Sequence, residues 1–129
     1  MALLLDTSVA GELLEDVQRM FERVAELDGQ FLSVISRVEL EAGVYRDGRL
    51  NDKRRARLDT FMAKVEELDF TGREVAAYSS IIAMKGFSRR LVADRMIAAT
   101  AITHGLALAT LNPRDFRDIP GLTIEDWSS

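Results

Sequence analysis

The chain has 129 residues, of which 47% are hydrophobic and 29% charged, and its formal net charge at pH 7 is −4. This length and composition predict one globular domain over residues 1–129, large enough to bury a core. The absence of cysteine excludes disulfides, thiolate nucleophiles and cysteine-ligated zinc. The negative charge argues against a protein that coats nucleic acid without specificity.

No targeting or membrane segment is predicted. The apolar run at the start of the chain is interrupted by Asp6 and follows no basic residue, so it does not match a secretory signal. The longest apolar stretch, residues 96–111, contains His104 and Gly105 and is shorter than the ~20 residues of a membrane helix. We therefore expect a cytoplasmic protein, with which the absence of cysteine agrees.

Short apolar runs alternate with helical patterns along the chain. Strands are predicted at residues 2–5, 31–35, 68–70, 107–110 and 123–125. Helices are predicted at about residues 17–27, 36–45, 58–65, 71–85 and 92–104, the first of them from the spacing of Val17, Met20, Phe21, Val24 and Leu27. This alternation is typical of an α/β fold, here a three-layer α/β/α sandwich around a mainly parallel sheet of about five short strands.

Four acidic residues fall where predicted strands end or predicted helices begin: Asp6, Glu39, Asp94 and Asp115. Right-handed crossovers bring all of these positions to the carboxyl edge of a parallel sheet, where open α/β sheets place their sites. Each acid also has a structural explanation, as a helix cap, a partner of the helix dipole or a turn residue. Glu39, for example, completes a capping-box pattern with Ser36, and the same pattern recurs at residues 71–74.

Carboxylates that meet at one edge of a sheet require a cation. Two of them ~5 Å apart repel each other by about 3 kcal/mol at an effective dielectric near ~20. That is a large fraction of the ~5–15 kcal/mol by which a domain is stable. Magnesium and manganese prefer oxygen ligands and relieve the repulsion. Divalent ions held by carboxylates also catalyse phosphodiester cleavage, so the four acids predict a metal-dependent nuclease site.

Four segments of the chain match a known family in order and with compatible spacing. They are residues 3–9 (LLLDTSV), 35–43 (ISRVELEAG), 94–101 (DRMIAATA) and 110–116 (TLNPRDF), the last followed by 119–122 (IPGL). Together they resemble the PIN domain and, within it, the VapC-type toxin ribonucleases of prokaryotic toxin–antitoxin pairs. The alignment selects Glu39 over Glu41, and Ser8 stands where the family often has asparagine.

The resemblance implies a single PIN-like nuclease domain over residues 1–129 and an endoribonuclease that depends on Mg²⁺ or Mn²⁺. It also implies a homodimer and inhibition by a small antitoxin protein that binds in the acidic cleft. In this interpretation Asp6, Glu39 and Asp94 hold the principal ion. Asp115 completes a second ion site or orients the attacking water.

Other residues extend the predicted site. Thr7, Thr110 and Asn112 are predicted to fix the carboxylates through hydrogen bonds. Candidates for contacts to RNA phosphates are the basic residues Arg46, Arg49, Lys53, Arg54 and Arg95. With one histidine and no cysteine, a Ser-His-Asp or Cys-His mechanism is disfavoured.

Two alternatives remain open from the sequence. A phospho-acceptor signalling domain also has a parallel sheet with magnesium-binding acids at its strand ends. It requires adjacent acids after the first strand and a lysine after the last, whereas Asp6 precedes Thr7 and no lysine follows Lys85. The other alternative is an inactive PIN fold that acts only as a binding partner.

Overall fold

The computed structural model describes residues 1–15 and 18–128, and for residue 47 the backbone alone. The strands in this part of the chain are β1 (Ala2–Leu5), β2 (Gly29–Ser33), β3 (Glu66–Leu68), β4 (Ala107–Thr110) and β5 (Ile124–Asp126). The α-helices are α1 (Thr7–Leu14), α2 (Gln18–Ala25), α3 (Val34–Val44), α4 (Asp52–Met62), α5 (Gly72–Lys85) and α6 (Val92–His104). Single 3₁₀ turns lie at Arg46–Gly48 and Pro113–Asp115.

The strands form one parallel sheet in the order β3-β2-β1-β4-β5. β1 is the central strand, and its residues Leu3, Leu4 and Leu5 are fully buried. Side chains alternate between the two faces of a strand, so Leu3 and Leu5 pack into one core while Leu4 packs into another. A continuous apolar run is what a strand covered on both faces requires.

Helices cover both faces of the sheet. The core that contains Leu3 and Leu5 is closed by one residue or more from each of the first four helices, including Leu13, Met20, Leu40 and Leu58. The opposite core is closed by α5 and α6, through Ile81, Ile97, Ala98, Ala99 and Ala101. The small side chains of α6 let this helix lie close on the sheet. The predicted three-layer α/β/α sandwich with a parallel sheet of five strands is therefore confirmed.

The boundaries of several elements differ from the prediction. β3 begins two residues earlier than expected and β5 one residue later, whereas β1 and β4 agree with it. The helix predicted from Val17 begins at Gln18, and Val17 itself lies outside the described residues. α1 was not predicted as a separate helix, although its cap, Asp6, was recognised.

The start of α3 changes the interpretation of Glu39. β2 ends at Ser33, whose hydroxyl accepts the N–H of Ile35 at 3.1 Å and caps the helix. α3 therefore begins at Val34, and Glu39 lies in its second turn instead of the first. The capping-box explanation of Glu39 is wrong, because a side chain so far along the helix no longer reaches the cap. The same pattern at residues 71–74 does form a capping box, with Thr71 and Glu74 bonded reciprocally.

The end of α6 sets the direction of the chain toward the site. Gly105 has φ +65°, and its N–H donates to the carbonyl oxygen of Ala101. A left-handed residue of this kind ends a helix at little cost only when it is glycine. The chain turns back at once into β4, so the start of α6 and the carboxyl end of β4 share one edge of the sheet.

Within the described residues, no helix is long and apolar enough to cross a membrane.

Candidate active site

Asp6 is fixed by donors on both of its carboxylate oxygens. It follows β1 directly and is only 4% exposed. Its Oδ1 accepts the backbone N–H of Thr7 at 2.8 Å, which caps α1. Its Oδ2 accepts the hydroxyl of Ser8 at 2.8 Å and that of Thr110 at 2.7 Å. The capping role and a place in the site therefore belong to the same side chain.

Thr110 joins the end of β4 to this carboxylate. Its fully buried hydroxyl donates to Asp6 and accepts the backbone N–H of Asn112 at 2.9 Å. The hydrogen bond predicted from Thr110 to a carboxylate is thus present. Asn112 is exposed, and the bond that it makes here comes from its backbone N–H and goes to a hydroxyl. Its contribution is therefore indirect, which differs from the prediction of a side-chain contact.

Ser8 is a member of the site to which no role was assigned from the sequence. Besides donating to Asp6, its Oγ accepts the backbone N–H of Leu111 at 3.2 Å. It therefore ties the start of α1 to the segment that follows β4. The sequence offered one signal for this role. Ser8 is a small hydroxyl residue two positions after the acid that ends β1, where the family often has asparagine.

Glu39 is positioned by a chain of hydroxyl groups. Thr7 Oγ1 lies 2.6 Å from Glu39 Oε1 and 2.8 Å from the hydroxyl of Ser36, which is fully buried. A hydroxyl has a single proton, and a carboxylate can only accept. Thr7 therefore donates to Glu39 and accepts from Ser36. The contact predicted for Thr7 is present, and it links α1 to the second turn of α3.

Asp94 lies in the first turn of α6 and is half-buried. Burial raises the pKa of its carboxyl to about 6, and the charges of three other acids act in the same direction. These acids are Asp6, Asp115 and Glu39. The electrostatic coupling brings together the four residues predicted from the sequence, which we call the acidic cluster: Asp6, Glu39, Asp94 and Asp115.

Asp115 lies in the 3₁₀ turn after β4, with its side chain 35% exposed. Its Oδ1 is 3.9 Å from Nη1 of Arg90, whose side chain is 76% exposed. An ion pair so long and so accessible to water contributes little to stability. Arg90 nevertheless lowers the pKa of Asp94 slightly, against the effect of burial and of the other acids.

The chemistry of the acidic cluster fits a hard divalent cation, because all four candidate ligands are carboxylates. In the conformation described for residues 1–15 and 18–128, no three acidic or histidine side chains are arranged to hold one ion together. The four acids are coupled through their charges, and two of them, Asp6 and Glu39, are already fixed by hydroxyl groups.

Glu41, two residues beyond Glu39, is engaged elsewhere. Its carboxylate accepts both terminal nitrogens of Arg55, at 2.7 and 3.0 Å. The hydrogen bond from Arg55 lowers the pKa of Glu41. This pair connects α3 to α4 and supports the choice of Glu39 as the acid that faces the site.

Four of the five predicted RNA-binding residues fall into two environments. Arg46, Arg49 and Lys53 are exposed. Arg54 is half-buried, with Nη1 donating to the carbonyl oxygen of Gly43 at 3.1 Å.

Arg95 is a correction to the prediction. It is only 7% exposed, and its Nη1 donates to the carbonyl oxygen of Gly86 at 2.6 Å. This bond ties α6 to the end of α5, so the guanidinium stabilises the packing of two helices. A side chain held in this way is not available on the surface for an RNA phosphate.

Comparison with known proteins places these features in a family. Residues 3–122 match the family model for the PIN domain. The chain is 35% identical over 135 aligned residues to ribonuclease VapC1 of Rickettsia felis, covering 100% of this chain and 98% of that protein. It is 29% identical to the tRNA(fMet)-specific endonuclease VapC of Shigella flexneri, covering 75% and 74% of the two chains.

The fold has a close counterpart among solved structures. The crystal structure of DNA-bound VapBC from Salmonella typhimurium superposes with a TM-score of 0.83 at 27% identity, and the match covers 98% of both chains. Similarity in sequence and in fold thus extends over nearly the whole chain.

Proposed function

Since this chain belongs to the PIN domain family and, within it, to the VapC ribonucleases, we propose that the acidic cluster is the site at which it hydrolyses RNA. The observation that carries this proposal is the coupling of four acids that are far apart in sequence. Their charges and their burial together raise the pKa of Asp94 to about 6. Structural acids that only cap helices or shape turns have no reason to lie so close to one another.

Membership in the PIN family implies dependence on a divalent metal, and we propose Mg²⁺ or Mn²⁺ because carboxylate oxygens suit both ions. Asp6, Glu39 and Asp94 would hold the principal ion, directly or through water, and Asp115 would complete a second ion site or orient the attacking water. When bound, the ion supplies hydroxide near neutral pH and stabilises charge on the phosphate in an in-line displacement.

The residues of the chain prepare this chemistry before the ion binds. Ser8 and Thr110 donate hydrogen bonds to the carboxylate of Asp6 and fix its orientation before an ion binds. Thr7 does the same for Glu39. Above its pKa of about 6 the carboxyl of Asp94 is ionised, so at neutral pH it offers a negative charge to a cation. In the part of the chain that the structure describes, no three acids are arranged around one ion, and we expect their side chains to rotate when an ion binds.

The partners follow from the same family. We propose that the chain is the toxin of a type II toxin–antitoxin pair and that a small antitoxin protein binds it. The solved relative, a DNA-bound VapBC assembly, supports this proposal. We also propose a homodimer, for which exposed apolar side chains such as Met84 and Phe87 would supply contact surface. A single nuclease domain over residues 1–129 and a cytoplasmic location, where cellular RNA is found, complete the proposal.

The decisive experiment is an RNA cleavage assay with purified protein. Initiator tRNA is the first substrate to use, because one relative is named a tRNA(fMet)-specific endonuclease. We expect cleavage with Mg²⁺ or Mn²⁺, none with EDTA, and a loss of at least about a thousandfold in Asp6→Asn and Asp94→Asn. Glu41→Gln is the matched control, since Glu41 is paired with Arg55 outside the cluster.

Undiminished cutting by both asparagine variants would overturn the assignment of the site. Cutting in EDTA at the full rate would overturn the dependence on metal. A wild-type protein that binds RNA or an antitoxin but cleaves no RNA under any of these conditions would instead support the inactive PIN fold.

A further inference from the structure

A small cavity opens beside the acidic cluster, between α1, α3 and the start of α4. Its volume is about 160 Å³, and Thr7 and Glu39 belong both to its wall and to the site described above. Sites for drug-sized ligands have volumes of ~300–1,000 Å³, so this space accommodates one part of a nucleotide and not a longer ligand. Its position makes it a continuation of the catalytic centre.

Two glycines that belong to helices line this cavity. Gly11 lies in the middle of α1, and Gly43 is the residue before the last in α3. Glycine is a poor helix former, because the unfolded chain has more conformational freedom to lose at such a position. A glycine in a helix therefore calls for a structural or functional reason.

Neither the backbone nor the packing supplies that reason. The glycines with positive φ lie elsewhere in the chain, so a helical conformation of any residue suits both positions. A Cβ atom added at Gly11 or at Gly43 would meet no heavy atom within 4 Å. Close approach of two helices is thus not what these glycines permit. What they have in common is that each leaves the wall of the cavity without a side chain.

Two arginines on the same cavity supply positive charge. Arg54 is oriented by its bond to the carbonyl oxygen of Gly43 and lies 3.6 Å from Glu15. Arg46 is exposed at the wall of the cavity. Guanidinium groups bind phosphate oxygens with paired hydrogen bonds, and such contacts fix the register of a nucleic acid.

We propose that this cavity is the subsite for the nucleotide of the RNA that adjoins the bond to be cut. Gly11 and Gly43 keep the space open for its ribose, and Arg46 and Arg54 bind its phosphate. The carboxylate of Glu15, which also lines the cavity, is an acceptor for a ribose hydroxyl, including the 2′-OH that distinguishes RNA from DNA. This inference rests on the proposed function, since it assigns the surroundings of the same catalytic centre.

The test measures stability and cleavage in the same variants, Gly11→Ala and Gly43→Ala. Each should raise the melting temperature by about 3 °C, because alanine is the better helix former and its methyl group meets no other atom. Each should lower kcat/KM on a cleavable RNA by about tenfold, mostly through KM, because the methyl group occupies the space of the ribose. Gly43→Leu should lose more activity than Gly43→Ala.

The matched control is Gly72→Ala. Gly72 is the first residue of α5, a Cβ there also meets no atom within 4 Å, and it lies outside the cavity. This variant should keep the wild-type KM. A second test, Arg46→Gln, should raise KM and weaken its dependence on salt.

Two results would overturn the subsite: wild-type KM in the stabilised Gly11 and Gly43 variants, or a fall in their melting temperature, which would show that packing requires the glycines. These results can be distinguished from failure of the proposed function. In that case the wild-type protein would cleave no RNA, and the proposal of a subsite would be wrong as well.

Discussion

The end of β1 and the start of α6 place the same chemical group in opposite situations. At the end of β1, Asp6 receives hydrogen bonds from a backbone N–H and two hydroxyl groups. At the start of α6, Asp94 is half-buried among like charges, and these together with burial raise its pKa to about 6. The scaffold thus compensates the charge of Asp6 through hydrogen bonds, whereas the charge of Asp94 is offset only in part, by Arg90, and is left largely uncompensated. A divalent cation binds most favourably where negative charge is not already compensated by the protein.

The largest effect is expected from removing the compensated acid. Asp6→Ala deletes the cap of α1, which is worth ~1 kcal/mol, and leaves the hydroxyls of Ser8 and Thr110 without their acceptor at ~1 kcal/mol each. We therefore expect the free energy of unfolding to fall by about 3 kcal/mol in urea denaturation. Asp94→Ala is the comparison. Equal losses in the two variants would show that the two environments do not differ.

Thr110→Val tests the support of Asp6 without touching the carboxylate. The change preserves shape but removes a donor to Asp6 and an acceptor for the N–H of Asn112. We expect a loss of about 2 kcal/mol in the free energy of unfolding, and slower RNA cleavage.

The control for this variant is Thr100→Val. Thr100 is equally buried, but the bond that its hydroxyl donates goes to the carbonyl oxygen of Met96 within α6. It should cost less stability and leave cleavage unchanged. If both threonine variants cleaved RNA at the wild-type rate, Thr110 would have no part in positioning the site.

The uncompensated acid should respond in the opposite direction. Asp94→Asn removes a charge that burial and its neighbours disfavour. We expect the metal-free protein at neutral pH to gain about 1 kcal/mol in stability, after the shift is discounted for partial access to water. Chemical denaturation in EDTA measures this gain. A variant less stable than wild type would mean that Asp94 makes favourable contacts that outweigh the repulsion.

The pH dependence of stability follows from the same carboxyl and is the subtlest effect. Its pKa is about 6 in the folded chain and 3.8 ordinarily, so between these values the folded state binds more protons than the unfolded state. The contribution of Asp94 to stability therefore decreases as pH rises through this range and stays low above it. The difference in stability between Asp94→Asn and wild type should grow from near zero at pH 3.8 to its full size above pH 6. A constant difference would contradict the assigned pKa.

The sequence was most informative where a local pattern has one structural solution. A fully apolar run of four residues before Asp6 predicts a buried strand, and the structure has this strand at the centre of the sheet. The start of α3 was missed because Ser33 and Ser36 are both good caps, and only packing decides between them.

In the site, too, some features follow from local sequence patterns and others depend on packing. The four acids could be selected from strand ends and helix starts, because topology alone brings those positions to one edge. The burial of Arg95 and the bonds of Ser8 depend on how helices pack, and the sequence does not encode such distances in any local pattern. The empty space around Gly11 and Gly43 likewise depends on packing and is not predicted by any local pattern in the sequence.

One titration tests most directly whether the coupled carboxylates form a divalent-ion site. Melting temperatures of wild type and Asp94→Asn are measured at neutral pH as Mg²⁺ or Mn²⁺ is raised from zero to millimolar concentration. Without metal the variant should melt higher; with metal the wild type should overtake it, because an ion bound to the folded state stabilises it. Two flat or parallel curves would contradict the site.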